Sequence, residues 1–137
     1  MFIVLKRQRH ESVPPPQGAR VVIAEGKGGI KQAIVMFWTD VISPDVAAYI
    51  NSFSNADLAI APFIRCFRVT PRANGQFKLS KNSRTIGIVT VRASIPRDSS
   101  ARALDLGSYD CSVDVTDSGD IMLDLPDAPI LGEPADE

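Results

Sequence analysis

The chain has 137 residues, of which 45% are apolar and 23% are charged, and its formal net charge is −1. A chain of this size folds as one globular domain without needing metals or disulfides, and its two cysteines exclude a disulfide framework. No apolar run approaches the ~20 residues that cross a bilayer as a helix, so no membrane partner is expected.

The first twenty residues predict a basic, proline-containing arm. Phe2 and Val4 are suited to a sheet edge, and Lys6, Arg7 and Arg9 follow them. Because these basic residues follow the apolar start instead of preceding it, we expect no secretory signal peptide and a location inside the cell or a virus particle. The stretch 13–18 contains Pro14, Pro15 and Pro16 and favours extended polyproline II, which is typical of a spacer or strap.

The middle of the chain predicts short strands and one helix. The apolar run 21–24 indicates one strand, and the stretch 30–39, with Ile34, Val35, Phe37 and Trp38 available for packing, indicates a second. Ser43, Pro44 and Asp45 predict a capped helix start, and the apolar spacing after them extends the helix over 44–54. The stretch 63–93 has the alternation of a meander, with Asn74-Gly75 as a hairpin turn.

The last quarter predicts a hairpin and then a tail. Alternating apolar residues over 109–115 and 121–125 flank the turn Asp117-Ser118-Gly119, and 126–137 is acidic and punctuated by proline. With about eight short strands and one helix, we expect a mainly β, single-domain antiparallel sandwich or barrel of the jelly-roll or Greek-key kind. The domain 21–125 then lies between an arm (1–20) and a tail (126–137). A five-stranded oligonucleotide-binding barrel is the smaller alternative.

Charge is divided along the chain. All fifteen lysines and arginines lie between Lys6 and Arg102 with only six acids, a formal charge of +9, whereas the stretch from 103 onward holds ten acids and no basic residue. Such a body attracts polyanions, and the acidic stretch can screen it, meet a basic surface on another copy, or face a different partner. A chance imbalance on a solvated surface is the remaining interpretation.

Sequence motifs for catalysis are weak. The segment Gly26–Lys31 lacks the Gly-Lys-Ser/Thr ending and the helix of a phosphate-binding loop. His10 is the only histidine, so a zinc site is not expected, and neither cysteine has a sequence partner that would activate it. The acids near the last hairpin suit calcium, basic side chains of a partner, or simple solvation, but their spacing departs from an EF-hand. We therefore predict no enzyme, no metal and no cofactor.

Two sets of residues are predicted to make contacts. Basic residues in the arm, turns and outward strand positions suit phosphate contact without base reading: Lys6, Arg7, Arg9, Lys27, Lys31, Arg72, Lys78, Lys81, Arg84 and Arg92. Residues of the arm, the acidic hairpin and the tail suit contacts between copies: Phe2, Val4, Pro14, Pro15, Pro16, Asp110, Asp114, Asp120, Asp124, Ile130 and Leu131.

Three functions fit this layout. The first is a structural protein that assembles in many copies, such as a viral or phage shell or decoration subunit, because opposite charges at opposite ends suit contacts between copies. The second is a single-strand or non-specific nucleic-acid-binding module whose acidic tail competes with the ligand. The third is an adaptor or inhibitor that binds another protein.

Overall fold

The structure is a computed structural model that describes residues 2–3, 14–61, 63–81, 87–96 and 104–130. Within these residues the chain forms one α-helix and nine antiparallel β-strands, which confirms the mainly β prediction. The helix is α1 (Pro44–Asn51), and the strands are β1 (Ala19–Glu25), β2 (Lys31–Trp38), β3 (Asn55–Ala61), β4 (Cys66–Pro71), β5 (Phe77–Lys78), β6 (Ser80–Lys81), β7 (Ile88–Ser94), β8 (Gly107–Val115) and β9 (Ile121–Asp124).

The strands form a nearly closed barrel. Their order is β5-β3-β4-β9-β8-β1-β2-β7-β6. The two edge strands are therefore β5 and β6, which only Leu79 separates in the chain. Phe77 of β5 lies opposite Ala56 of β3, and Lys81 of β6 lies opposite Val89 of β7. The segment 77–81, here called the closing strand, thus joins both edges of the sheet.

Alternate strand residues fill the barrel interior. Fully buried side chains at successive inward positions include Val21, Ile23, Val35, Phe37, Val69, Val91, Tyr109, Ile121 and Leu123. Burying each large aliphatic or aromatic side chain contributes about 1.5–3 kcal/mol. The only polar group among them, the Tyr109 hydroxyl, donates to the Asp105 carbonyl at 2.6 Å. Because side chains occupy the interior, surfaces for partners lie on the outward face and in the loops.

Helix α1 begins as the sequence predicts. The Ser43 hydroxyl accepts a hydrogen bond from the Val46 amide at 3.4 Å, and Pro44 and Asp45 occupy the first turn. The inward residues Ala47 and Ile50 are buried. The helix ends at Asn51, three residues before the predicted end, because Ser52 donates its hydroxyl to the Tyr49 carbonyl and so caps the last turn.

The hairpin predicted at Asn74-Gly75 is wrong. Strand β5 does not pair with β4, which precedes the turn, but with the far edge of β3. Gly75 makes this crossing possible, because a Cβ at this position would lie 2.6 Å from the Ala56 carbonyl carbon. The Asn55 side chain donates to the Ala73 carbonyl and the Asp57 carboxylate accepts from the Gln76 amide, and both bonds hold the loop across β3. The hairpin of β8 and β9 is confirmed, with Val115 opposite Ile121.

The predicted start of the meander is also wrong at Phe63 and Ile64. Both residues lie in the turn before β4, and their side chains are 92% and 70% exposed. Arg65 ends the turn with a φ of 53°, a left-handed conformation that is uncommon for a residue with a side chain. Strand β4 therefore begins only at Cys66.

Both ends of the described chain differ in part from the prediction. Phe2 lies outside the nine strands and is fully exposed, so it does not add to a sheet edge in this subunit. Pro15 is fully buried, so the proline stretch contributes to the packed body as well as leading into it. Ile130 forms an isolated bridge with Ser108, its amide donating to the Ser108 carbonyl at 2.6 Å. Across the described residues, no helix has the length and apolar character to cross a membrane.

Candidate functional site

The described strands on one side of the barrel carry only basic charges. The neighbouring strands β2, β7, β6 and β5 contain four charged residues, and all four are basic: Lys31, Lys78, Lys81 and Arg92. We call these strands the cationic side. Lys78, Lys81 and Arg92 are exposed, so their charges face solvent. This side holds four of the ten residues predicted to contact phosphate.

The opposite side carries only acids. Strands β8 and β9 contain three charged residues, Asp110, Asp114 and Asp124, and we call these strands the anionic side. Along the barrel, three strands separate β8 from the closing strand in either direction: β3, β4 and β9 one way, β7, β2 and β1 the other. The separation of charge along the chain thus becomes a separation across the barrel.

Several predicted phosphate contacts form hydrogen bonds or ion pairs within the subunit, or lie elsewhere on the barrel. The Lys31 ammonium donates to the Leu104 carbonyl at 2.9 Å, and Lys27 is exposed in the 3₁₀ turn after β1. Arg72 pairs with Asp57 at 3.1 Å. The Lys81 ammonium donates to the Asn51 carbonyl at 2.8 Å, at the negative end of the α1 dipole. Four predicted contacts lie outside the described residues: Lys6, Arg7, Arg9 and Arg84.

The cationic side also holds a groove beside the closing strand. Its volume is about 290 Å³, and Lys78 and Lys81 line it together with the small polar residues Ser54 and Ser80. A cleft with two ammonium groups suits a phosphate or a carboxylate, because both positive charges can neutralise the anion. The lining holds no aromatic residue that could stack on a base, so this cleft recognises charge and not sequence.

Asp110 is engaged within its own subunit. Arg20 Nε donates to Asp110 Oδ1 at 2.6 Å and Nη2 donates to Oδ2 at 3.4 Å, an in-register pair between β1 and β8. The guanidinium also lies 5.3 Å from the ring centroid of Trp38, which is 8% exposed. The pair and the stacked ring stabilise the contact of β1 with β8 and β2, and Asp110 has less charge to offer a neighbour.

The remaining acids are spaced so that they do not repel each other directly. In the hairpin, Asp114 lies opposite Met122 and Asp124 lies opposite Ser112, so neither carboxylate lies directly across from a like charge. Both are exposed, and neither forms a salt bridge with another described residue. Asp120 accepts from the Thr70 hydroxyl at 2.6 Å. Within the described part of the chain, no three potential ligands lie close enough to hold a metal ion.

The two cysteines lie near the anionic side as protonated thiols. Burial raises the pKa of Cys111 to about 12, since this thiol lies in the core at 3% exposure. Burial also raises the pKa of Cys66, and its hydrogen bond with Asp124 raises that pKa further. Neither thiol has the lowered pKa of an activated nucleophile.

The other residues that we predicted to contact neighbouring copies differ in exposure, and two of them lie outside the described residues. Pro14 and Pro16 are exposed on either side of the buried Pro15, and Ile130 is 42% exposed beside its bridge to β8. Val4 and Leu131 lie outside the described residues. The exposed members of this set therefore lie at Phe2, at the root of the arm, on the anionic side and at the start of the tail.

A second groove, which the sequence did not indicate, lies between α1 and the turn of the β8–β9 hairpin. Its volume is about 380 Å³, and its walls include Tyr49 from the helix and Val115 from the hairpin. The Tyr49 hydroxyl donates to the Gly119 carbonyl at 2.8 Å and holds the two walls together. The two walls lie about 70 residues apart in the chain, so no local sequence pattern could have predicted the groove.

Comparison of the chain with protein-family models, with curated proteins and with solved structures finds no match. Conclusions about function therefore come from the charges and grooves described above.

Proposed function

We propose that this protein is a non-enzymatic structural subunit that assembles in many copies, as the shell and decoration proteins of viruses and phages do. The observation that carries the proposal is the charge division of the barrel, in which the charged residues of β8 and β9 are all acidic and those of β2, β7 and the closing strand are all basic. Such a subunit presents two surfaces that complement each other and not themselves.

This division favours one kind of symmetry. A two-fold contact places the same surface of each copy against itself, which here would bring Lys78 toward Lys78 or Asp114 toward Asp114. A head-to-tail contact instead brings the cationic side of one copy to the anionic side of the next. Head-to-tail contacts leave a free surface at each end, so copies continue to add until a ring, shell or filament forms.

Charge here determines orientation more than strength. An exposed ion pair contributes about 0.2–1 kcal/mol, and exposed charges farther apart than about 8 Å are screened at physiological salt. Opposite potentials nevertheless steer encounters and disfavour like-charged pairings. Assembly is therefore expected to be faster and more complete at low salt than at high salt.

Charge reversal with complementation tests the proposal. Lys78→Glu with Arg92→Glu changes the exposed charge of the cationic side from +3 to −1, because only Lys81 stays basic among its three exposed residues. Asp114→Lys with Asp124→Lys changes the exposed charge of the anionic side from −2 to +2. Neither double variant should assemble alone, but an equimolar mixture should assemble by alternation, as measured by light scattering coupled to size-exclusion chromatography. Circular dichroism confirms that each variant folds.

Lys27→Glu is the matched control, because it reverses an exposed charge in the turn between β1 and β2, outside the strands of both sides, and should assemble like the unmodified chain. A monomeric unmodified chain at low salt, or two double variants that assemble as well alone as mixed, would rule out the proposal.

A nucleic-acid-binding function is the second candidate, and the exposed Lys78 and Arg92 favour it. Phosphate contacts made by these residues would give an affinity that falls steeply with salt. Fluorescence anisotropy of a labelled oligonucleotide over a salt series measures it. Lys78→Glu with Arg92→Glu should abolish this binding, whereas Asp114→Lys with Asp124→Lys should strengthen it. No salt-dependent binding by the unmodified chain would remove this candidate.

A further inference from the structure

The groove between α1 and the β8–β9 turn has an apolar floor and an acidic rim. Val46 and Tyr49 line it from the helix and Val115 lines it from the hairpin, while Asp45 and Asp117 stand on opposite walls. Val115 is 40% exposed and both carboxylates are exposed. None of the described residues that line the groove is basic. A fitting ligand therefore combines apolar side chains with positive charge.

The N-terminal segment of this chain has that chemistry. Phe2 is 100% exposed and Ile3 is 83% exposed, so neither large apolar side chain is buried against its own subunit. Lys6, Arg7 and Arg9 follow them in the sequence. A pair of exposed apolar residues next to a cluster of cations is complementary to an apolar floor between two carboxylates.

We propose that the groove binds the N-terminal segment of a neighbouring copy, with Phe2 and Ile3 on the apolar floor and the following basic residues beside Asp45 and Asp117. The inference rests on the proposed assembly and names the contact that links its subunits. The groove volume of about 380 Å³ lies within the range of sites that bury small ligands, and it is sufficient for two apolar side chains.

The segment can reach another subunit. The Pro15–Gly18 turn is fixed to the body, because the Gly18 amide donates to the Pro15 carbonyl and the Gln17 side chain accepts from the Val113 amide. From Phe2 to Pro14 the chain can span up to about 40 Å when extended, which exceeds the diameter of a small domain. Because Phe2 is fully exposed on its own subunit, the segment is expected to bind the groove of a neighbour and not its own.

A peptide-binding experiment tests this contact apart from assembly. The probe is a fluorescent peptide of residues 1–13, and the receptor is the full-length chain carrying Phe2→Ser and Ile3→Ser, whose own segment cannot compete. We expect saturable binding that weakens with salt. Adding Val115→Lys with Asp117→Lys to the receptor should weaken binding at least tenfold, and Asp45→Asn should weaken it by a smaller factor without altering the hairpin.

Asp40→Lys with Val41→Lys is the matched control, because Val41 is 39% exposed, Asp40 is exposed, and neither lines the groove. Peptide binding should be unchanged in this variant. Absent binding, or equal loss in control and groove variants, would overturn the inference. If mixed charge-reversed variants still assemble in that case, the proposed function stands without it.

Light scattering of the full-length Phe2→Ser, Ile3→Ser chain distinguishes a neighbour from self-docking. A loss of high-order assemblies relative to the unmodified chain supports binding between copies. The alternative result has two parts: the variant forms assemblies of unchanged size, and the peptide binds only to chains whose own segment is disabled. Together they would show that the segment occupies its own groove, and they would overturn the proposed contact.

Discussion

The partly buried ion pair of Arg20 and Asp110 should contribute much more to stability than the exposed pair of Arg72 and Asp57. The first pair has side chains that are 13% and 27% exposed, two hydrogen bonds and a stacked Trp38 ring. The second has side chains that are 57% and 33% exposed. A double-mutant cycle with Arg20→Met and Asp110→Asn is expected to give a coupling energy of about 2 kcal/mol. The equivalent cycle with Arg72→Met and Asp57→Asn should give less than about 0.5 kcal/mol.

Asp110→Asn alone should lower the free energy of unfolding by about 2 kcal/mol. At about 2.1 cal/mol/K per residue, the unfolding entropy of this chain is about 0.29 kcal/mol/K, so the melting temperature should fall by about 7 °C. Urea unfolding with linear extrapolation measures the cycles in one buffer. Equal coupling in the two cycles would refute the argument from burial. A stable Asp110→Asn variant that fails to assemble would instead return Asp110 to its predicted role between copies.

Three further changes test the core and the loops. Cys111 keeps its proton up to a pKa of about 12 in the fold, against 9.0 ordinarily, so stability should fall by about 1.4 kcal/mol per pH unit between pH 9 and 12; urea unfolding of Cys111→Ala should show a shallower pH dependence, and equal slopes would contradict this. Tyr49→Phe removes the hydrogen bond to Gly119 and should cost about 1 kcal/mol in urea unfolding, with weaker binding of the 1–13 peptide. Gly75→Ala places a Cβ 2.6 Å from the backbone of Ala56 and should cost about 2–3 kcal/mol, and a neutral result would show that the loop shifts easily.

Local signals in the sequence predicted the local elements. Ser43, Pro44 and Asp45 each act within the first turn of α1, so their effect does not depend on distant residues. The alternation of apolar residues predicted β8 and β9 because one face of each strand packs against the core. These elements were predictable because the residues that stabilise them lie within the elements themselves.

Pairing between distant strands could not be predicted in the same way. Asn74-Gly75 is a strong hairpin signal, but it reports only that the chain turns there. Which strand β5 then joins depends on Gly75 packing against Ala56 and on side chains of β3 that hold the loop. None of these contacts has a signature within the turn itself.

The candidate site was predictable in its charges but not in its geometry. The sequence separates basic from acidic residues along the chain, and the strands preserve that separation. Their placement on opposite sides depends on β9 pairing with β4 and β8 pairing with β1, which inserts the acidic hairpin far from the closing strand. The second groove depends on α1 meeting the same hairpin, and that contact is likewise non-local.

The two proposed contacts have different physical roles in assembly. The exposed ion pairs orient neighbouring copies, but each is too weak to hold them together. Burial of Phe2 and Ile3 would supply the apolar contribution that these pairs lack, because both side chains are otherwise in water. With a net charge of only −1, copies do not repel each other at long range, so short-range complementarity decides the outcome. Raising salt should therefore lower the rate of assembly. Phe2→Ser with Ile3→Ser should instead give assemblies that are less stable than those of the unmodified chain.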